Sequence, residues 1–286
     1  MEKEKEEFGK LEARGLDNSH RKITSMDLLT ICNIFCVVST QQRNKLTIPS
    51  KINPKIKIDK PFNREFRVSS GHHVVISGPI LSHFDGTIFS ILVALYIEKG
   101  CNNGILVCAY SDISKKLKKS TSSGSVRGDI HGSITRLKEC NIKIYDDTQP
   151  LWMKSLVLDL ETKGRGRSLK LLIQLNKWMV PQYEQGNYSI QKLETLVALS
   201  GEYQPALYRL LATSKAKEVR LPIEEAYRFL ADYGVKKRDF EELTSAQKSD
   251  FKYYLKKIIK KMIEKGALDQ SSVVEDQLYM RENTFH

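Results

Sequence analysis

The residues of this chain that could do chemistry are its cysteines, histidines and acidic pairs, but they do not form a recognisable site. The five cysteines lie at positions 32, 36, 101, 108 and 140, with no Cys-x-x-Cys pair. Cys32 and Cys36 are spaced as neighbours on a helix, yet nothing nearby supplies the two further ligands that zinc needs. We therefore predict no metal site, and buried thiols, the usual state of free cysteine.

Enzymatic motifs are also absent from the sequence. His72 and His73 would point to opposite faces of a strand, so they cannot share the metal of a His-hydrophobe-His nicking site. The chain has no Gly-x4-Gly-Lys-Ser/Thr phosphate loop, no Gly-x-Ser-x-Gly elbow and no His-Glu-x-x-His motif. Asp146 and Asp147 are typical of a turn. The sequence thus predicts a protein that is not an enzyme, with no catalytic residue and no cofactor.

Basic residues are the remaining chemical feature. The 286 residues include 46 Lys and Arg against 34 Asp and Glu, a net charge of +12 at pH 7. Such a surplus attracts polyanions, either nucleic acid or an anionic membrane. The longest apolar stretch, residues 23–38, contains Asp27 and Asn33 and is shorter than the roughly 20 residues of a membrane span. Because the N-terminus has no signal-peptide layout, we expect a soluble cytoplasmic protein.

A helix over residues 125–139 is predicted to have an apolar inner face and an almost bare outer face. Its apolar residues fall together at about 100° per residue: Val126, Ile130, Ile134 and Leu137. The outer residues, which we predict to contact DNA, are Ser125, Gly128, Gly132, Thr135 and Arg136, with Arg127 and His131 on a flank. Each glycine costs about 1 kcal/mol relative to alanine, which close approach to a major groove would offset. The alternatives are packing against another protein helix or a poorly wound segment.

The helix predicted from Ser245 to Lys265 carries a concentrated positive charge. It holds seven lysines against Asp250 and Glu264. Its apolar stripe consists of Phe251, Leu255, Ile258 and Met262, and the predicted DNA contacts on its other faces are Ser249, Lys252, Tyr253, Lys256, Lys257 and Lys260. Lysines spaced along a helix can neutralise successive phosphates. A solvated face is the alternative, but solvated faces usually mix the two signs of charge.

A third basic element lies between two strand-like segments. Lys163, Arg165 and Arg167 alternate with two glycines, which favour a tight turn. A hairpin tip of this kind can touch phosphate or a narrow minor groove. The alternative is a tip that only keeps the protein soluble.

The order of predicted elements indicates how these three sites are held. A short helix is expected over residues 23–38 and an extended, proline-containing strap over residues 47–68. The elements that follow are a strand at 73–77, helices at 83–99, 113–119 and up to Glu139, and strands at 142–145, 155–160 and 169–175. Ser82 and Ser111 or Asp112 are predicted helix caps. Three helices followed by a hairpin are the order of a winged helix.

The second half of the chain repeats this order. We predict a helix that starts near Ser189 with a junction around Pro205, a short helix from Leu221–Pro222 to Asp232, the lysine-rich helix ended by Gly266, and a hairpin over residues 273–280. The predicted fold class is α+β with two tandem winged-helix domains. Residues 1–22 form a flexible charged arm, residues 23–180 the first domain with its strap, and residues 181–286 the second, with a junction around residues 178–187.

The motifs in this order resemble the winged-helix plasmid replication initiators, the Rep proteins that include the TrfA type. The similarity rests on residues 77–85 leading into an apolar helix, residues 117–137 before and within the glycine-containing helix, the tip at Gly164–Gly166, and residues 206–211 followed by Phe251–Leu255. The resemblance implies binding to repeated origin sequences (iterons), opening of AT-rich DNA, and recruitment of the host initiator DnaA and the replicative helicase. It also implies dimers that repress their own promoter. The chain departs from some members in lacking an N-terminal leucine heptad and a clamp-binding motif.

Two other functions fit the same residues. A transcriptional repressor could have this fold without a role in replication. A peripheral membrane protein could use the lysine-rich helix on anionic lipid, although that helix lacks tryptophan and has a narrow apolar stripe. Binding to double-stranded DNA is therefore the main prediction, with no membrane partner.

Overall fold

The computed structural model describes residues 34–35, 47–49, 57–59, 62–67, 73–119, 124–146, 149–164, 169–176, 193–201, 203–213, 217–231, 239–275 and 277–283. The predicted arm, the junction at 178–187, the cap at Ser189, the turn residue Asp147 and the domain boundary at 180/181 lie outside these residues. Of the helix expected over residues 23–38, only Ile34 and Phe35 are described. Both are buried and neither is helical.

The described parts of the segment before the first helix are extended, as its prolines predict. Strands β1 (Thr47–Pro49) and β2 (Lys57–Asp59) pair antiparallel. Strand β3 (Phe62–Arg67) pairs with β4 (His73–Gly78). At the end of β4, Gly78 has φ +118°, and a Cβ there would lie 2.7 Å from the carbonyl oxygen of Glu139. Only glycine therefore allows this close approach of the two chain segments.

The first module, residues 83–175, has the topology of a winged helix. Its elements are α1 (His83–Glu98), β5 (Ile105–Ala109), α2 (Tyr110–Lys116), α3 (Gly124–Glu139), β6 (Asn141–Asp146), β7 (Gln149–Lys154), β8 (Val157–Lys163) and β9 (Lys170–Leu175). Strands β5, β9 and β8 form an antiparallel sheet in that order. The predicted hairpin before and after the basic tip is thus confirmed as β8 and β9.

A second sheet is inserted into the first module. Strands β6 and β7 follow α3 in the chain but do not join the winged-helix sheet. They pair instead with the earlier strands in a four-stranded sheet, β3-β4-β6-β7. Strand β7 was not predicted, since Pro150 lies within it. The strand tolerates this proline because β7 is at the edge of the sheet and opposite a register shift at Ile144/Tyr145.

The second module, residues 203–281, has the same topology as the first. The short helix α4 (Leu193–Ala198) leads into it. Its elements are α5 (Tyr203–Thr213), β10 (Glu218–Pro222), α6 (Ile223–Ala231), α7 (Ser245–Glu264), β11 (Val273–Val274) and β12 (Gln277–Arg281), and the strand order is β10-β12-β11. In both modules the strand after the first helix pairs with the last strand, which lies in the middle. The predicted repeat of one module is therefore seen in the topology.

The sequence misplaced one boundary in the second module. The short helix begins at Ile223, whereas Leu221 and Pro222 end strand β10. The residues of β10 do not alternate clearly between buried and exposed positions. The segment therefore lacks the period-two pattern by which a strand is recognised in a sequence. Pairing with β12 holds it in the sheet.

Caps fix the two helices on which the candidate sites depend. Ser82 Oγ accepts a hydrogen bond from the Asp85 backbone N–H, and the Asp85 carboxylate accepts one from the Ser82 backbone N–H, which starts α1 as predicted. Thr244, one residue before the expected start, caps α7 in the same way with Gln247. Gly266, at φ +69°, follows the C-terminal end of α7.

Each module has its own buried apolar cluster. The first runs from Ile34 to Leu175 and the second from Leu196 to Met280. Cys108 and Cys140 are buried thiols, as predicted, and Cys101 is half-buried. Burial raises the pKa of Cys108 to about 12, so its thiol stays protonated and unreactive at neutral pH.

Helix α5 of the second module contacts α1 of the first through the side chain of Arg209. Arg209 of α5 is 3% exposed. One of its nitrogens, Nη1, lies 3.1 Å from Nδ1 of His83, and Nη2 donates to Thr87 Oγ1 at 3.3 Å. A Cβ on Gly86 would lie 2.8 Å from the Phe35 ring and 3.0 Å from Nη2 of Arg209, so glycine is needed at this contact.

Burial and charge set the state of the groups at this contact. Burial, and then the charge of Arg209, hold the pKa of His83 well below its ordinary value, so the imidazole is neutral and its Nδ1 accepts from Arg209. Burial also lowers the pKa of Arg209, but a guanidinium stays charged at neutral pH. A buried cation held by neutral acceptors is therefore part of the contact between the modules.

Candidate nucleic-acid interface

Helix α3 occupies the third-helix position of the first module, and its inner face is the one predicted. Ile130, Ile134 and Leu137 are fully buried, and Val126 packs against the same cluster. The outer face is as bare as its sequence suggests. A Cβ on Gly128 would have no atom of the described residues within 4 Å, and Ser125 is exposed. Among the described residues, no protein helix packs against Gly128.

Arg136 does not project from the outer face, and this corrects the helical-wheel prediction. Its Nη2 donates to Asp85 Oδ1 at 2.7 Å, and its Nε lies 3.2 Å from the same oxygen. The Arg136 side chain is 13% exposed and that of Asp85 is 0% exposed. Arg136 therefore fastens α3 to α1 and is not placed to reach a groove.

Two smaller residues of the predicted outer face, Thr135 and Gly132, are also engaged inside the module. Thr135 Oγ1 donates to the backbone carbonyl of His131, one turn earlier in the helix. A Cβ on Gly132 would lie 3.4 Å from Nη1 of Arg136, so this glycine leaves room for the arginine side chain. The open part of the outer face is consequently centred on Gly128, not on both glycines.

An aromatic residue of α2, Tyr110, lies beside the flank of α3. The sequence did not single it out. The hydroxyl of Tyr110, the first residue of α2, lies 2.8 Å from Nδ1 of His131. The Arg127 guanidinium lies 4.7 Å from the centre of the Tyr110 ring. The sequence places Tyr110 directly after a strand, but its distance of 21 residues from His131 gave no sign of the contact.

The basic hairpin tip is described only in part. Lys163, at the end of β8, is exposed and lies 3.9 Å from the Glu161 carboxylate. Gly164 follows with φ +91°, the left-handed conformation that a tight turn uses. Arg165 and Arg167 lie outside the described residues, so their predicted DNA contacts stay predictions.

Helix α7 occupies the third-helix position of the second module. Its buried stripe is Leu255, Ile258, Ile259 and Met262, while Phe251 is partly buried. Of the predicted contacts, the exposed ones are Ser249, Tyr253, Lys256, Lys257 and Lys260, and Lys252 is half-buried. The Lys257 ammonium lies 4.6 Å from the centre of the Tyr253 ring. Tyr254, which follows Tyr253 in the sequence and is 54% exposed, was not among the predicted contacts.

The two wings differ in charge. The turn between β11 and β12 has the sequence Glu275-Asp276, and Glu275 is exposed, whereas the tip after β8 is basic. Acidic residues repel phosphate. The exposed lysines of the second module therefore lie on α7 and not at this turn, whereas the first module has basic residues at its wing.

Comparison with known proteins supports the fold. No protein-family model and no curated protein matches the chain. A crystal structure of a selenomethionine derivative of domains 2 and 3 of RctB is similar with a TM-score of 0.60 and 11% identity, over 92% of this chain and 99% of that one. Another crystal structure of RctB domains 2–3 has a TM-score of 0.51 and 13% identity, over 80% and 84%.

These neighbours confirm the predicted fold class, α+β with winged-helix domains. They give no particular support to the TrfA type. None of the helices in the described ranges is long and apolar enough to span a membrane.

Proposed function

We propose that this protein is a replication initiator that binds duplex DNA through both winged-helix modules. The observation that carries the proposal is the repeated topology, which puts α3 and α7 in the same third-helix position, where winged helices present their DNA-reading helix. Gly128 leaves the surface of α3 open, and α7 exposes Lys256, Lys257 and Lys260. The likeness to RctB domains 2 and 3 supports an initiator.

The finer steps of this proposal follow from the resemblance to plasmid Rep proteins. The chain would bind repeated origin sequences in the cytoplasm, promote opening of adjacent DNA, and recruit DnaA and the replicative helicase. It would act by binding alone, without a catalytic residue, metal or cofactor. A dimer of this protein would repress transcription from its own promoter.

Footprinting on the DNA that flanks the gene tests the binding step. We expect protection in two tracts separated by about 10 base pairs, one per module. The association constant should fall as salt rises, and a plot of its logarithm against the logarithm of the salt concentration should have a slope of about −0.9 for each phosphate contacted. Binding that decreases with salt but protects no particular sequence would contradict the proposal.

A replication assay separates an initiator from a repressor. A plasmid with the protected sequence and no other origin should replicate only when this protein is supplied in trans. A repressor would protect the same DNA but leave the plasmid unreplicated. That result would leave DNA binding intact and remove the initiator function.

Substituting Gly128 by alanine tests whether α3 approaches DNA closely. Because the added methyl group meets open space, we expect it to stabilise the free protein by about 0.5–1 kcal/mol, as alanine does in helix interiors. DNA binding should nevertheless weaken, since the methyl group would meet the groove floor. Urea unfolding and titration with the footprinted duplex measure the two effects. A more stable variant with unchanged DNA affinity would show that this face does not enter a groove.

A further inference from the structure

Tyr110 connects two helices of the first module at the side of the proposed DNA surface. It is the first residue of α2 and is 7% exposed, whereas His131 of α3 is exposed. Its hydroxyl lies 2.8 Å from His131 Nδ1, and Arg127 stacks on its ring at 4.7 Å. Arg127 and His131 are four residues apart, so they are neighbours on consecutive turns of α3.

The hydrogen bond between Tyr110 and His131 has a definite direction. Burial raises the pKa of Tyr110, so the phenol keeps its proton at neutral pH. That proton needs an acceptor, and Arg127 has only donors. Nδ1 of a neutral His131 has a free lone pair, so Tyr110 donates to it and the imidazole proton lies on Nε2.

His131 therefore offers a hydrogen-bond donor at Nε2. His131 lies three residues after Gly128, whose surroundings are open. In the major groove, guanine presents two acceptors, N7 and O6, and no donor, whereas adenine presents one acceptor beside a donor, cytosine presents a donor, and thymine presents one acceptor beside its methyl group. A donor fixed at this place would discriminate between bases, while an imidazole free to exchange its tautomers would accept either pattern.

We infer that Tyr110 is a positioning residue for sequence recognition, which fixes His131 as a donor to a guanine edge and holds Arg127 beside it. This inference rests on the proposed DNA binding by α3. Tyr110 itself is buried under the two side chains and need not touch DNA.

Selection of binding sites from a random pool of duplexes, with the full chain and its Tyr110→Phe variant, tests the inference. Phenylalanine keeps the ring under Arg127 and removes only the hydroxyl. We expect the wild type to prefer guanine at one position, and the variant to lose roughly tenfold of that discrimination. Affinity for bulk competitor DNA and its salt dependence should not change.

Two further variants make the result decisive. In a His131→Ala background, Tyr110→Phe should have no additional effect on base preference, because its effect passes through His131. Tyr279→Phe is the matched control, since the Tyr279 hydroxyl donates to Glu218 at 2.7 Å with Arg220 at 5.0 Å from its ring, away from α3. Base preference should not change in this control.

Nitrogen NMR of the His131 ring gives a readout that does not depend on DNA. The wild type should show the proton on Nε2, and Tyr110→Phe should show a mixture of tautomers. An unchanged ring, or an unchanged base preference in a variant that binds DNA, would overturn the inference and leave the proposed function standing. A wild-type protein that binds no DNA would overturn both.

Discussion

Replacement of Arg136 by methionine is expected to lower the free energy of unfolding by about 3–5 kcal/mol, the usual cost of removing one partner from a buried ion pair. Asp85 is fully buried, and its Oδ1 accepts a hydrogen bond from Nη2 of Arg136 at 2.7 Å. Without the arginine, its carboxylate would keep two hydrogen bonds from Ser82 but lose its counter-charge. Specific DNA binding should weaken as well, because α3 would lose its attachment to α1.

A matched control lies two residues away on the same helix. Lys138 pairs with Asp159 at 2.6 Å, but both side chains are 40% exposed or more. Exposed pairs contribute little because water screens them, so Lys138→Met should change stability only slightly. Urea unfolding followed by circular dichroism measures both variants. Equal losses for the two substitutions would mean that burial does not strengthen the Arg136 pair.

A double variant shows whether the cost comes from the unpaired carboxylate. Asp85→Asn in the Arg136→Met background removes the buried negative charge. It should therefore recover part of the lost stability, giving a non-additive cycle. Additive losses would assign the effect to lost packing of the arginine stem.

The sequence predicted the features that depend on local order. The inner face of α3, the cap at Ser82 and the β8–β9 hairpin all follow from periodicity or turn chemistry within a few residues. The winged-helix fold was predictable because the order of such elements repeats in both halves. Charge counting likewise found the exposed lysines of α7.

Contacts between distant residues could not be predicted in this way. Arg136 and Asp85 are 51 residues apart, and a helical wheel places the Cα of Arg136 outward although its long side chain turns back. Strand β10 exists because β12 pairs with it, not because of its own pattern. The partners of Tyr110 and Arg209 likewise become visible only when separate helices are packed together. Such contacts orient the candidate DNA residues, so the sequence could nominate these residues but could not predict how their side chains are held.

The modules also differ in how they could hold DNA, which follows from the charges around each third helix. The first combines an open, glycine-containing helix with a basic wing, an arrangement suited to reading bases at close range. The second has an acidic turn beside a lysine-rich helix. We therefore expect sequence preference to come mainly from the first module and salt-dependent affinity mainly from the second.

Substitution of both Lys256 and Lys260 by glutamine should weaken DNA binding on the order of 50-fold at 0.1 M salt, because two phosphate contacts would be lost. The two lysines are exposed and one helical turn apart, so they can meet successive phosphates of one strand. The slope of log affinity against log salt should flatten by about 2. The loss should be the same for every DNA sequence, since phosphates do not report base identity.

The control for this prediction removes the same charge elsewhere. Lys99 and Lys116 pair with Asp112 and Glu98, so their ammonium groups already have counter-charges. Lys99→Gln with Lys116→Gln lowers the net charge of +12 by the same two units, yet should alter the salt slope little. Salt titrations of both double variants against one duplex make the comparison. Similar slopes in the two variants would mean that DNA responds to the total charge of the protein, and α7 would then not be the surface that contacts phosphate.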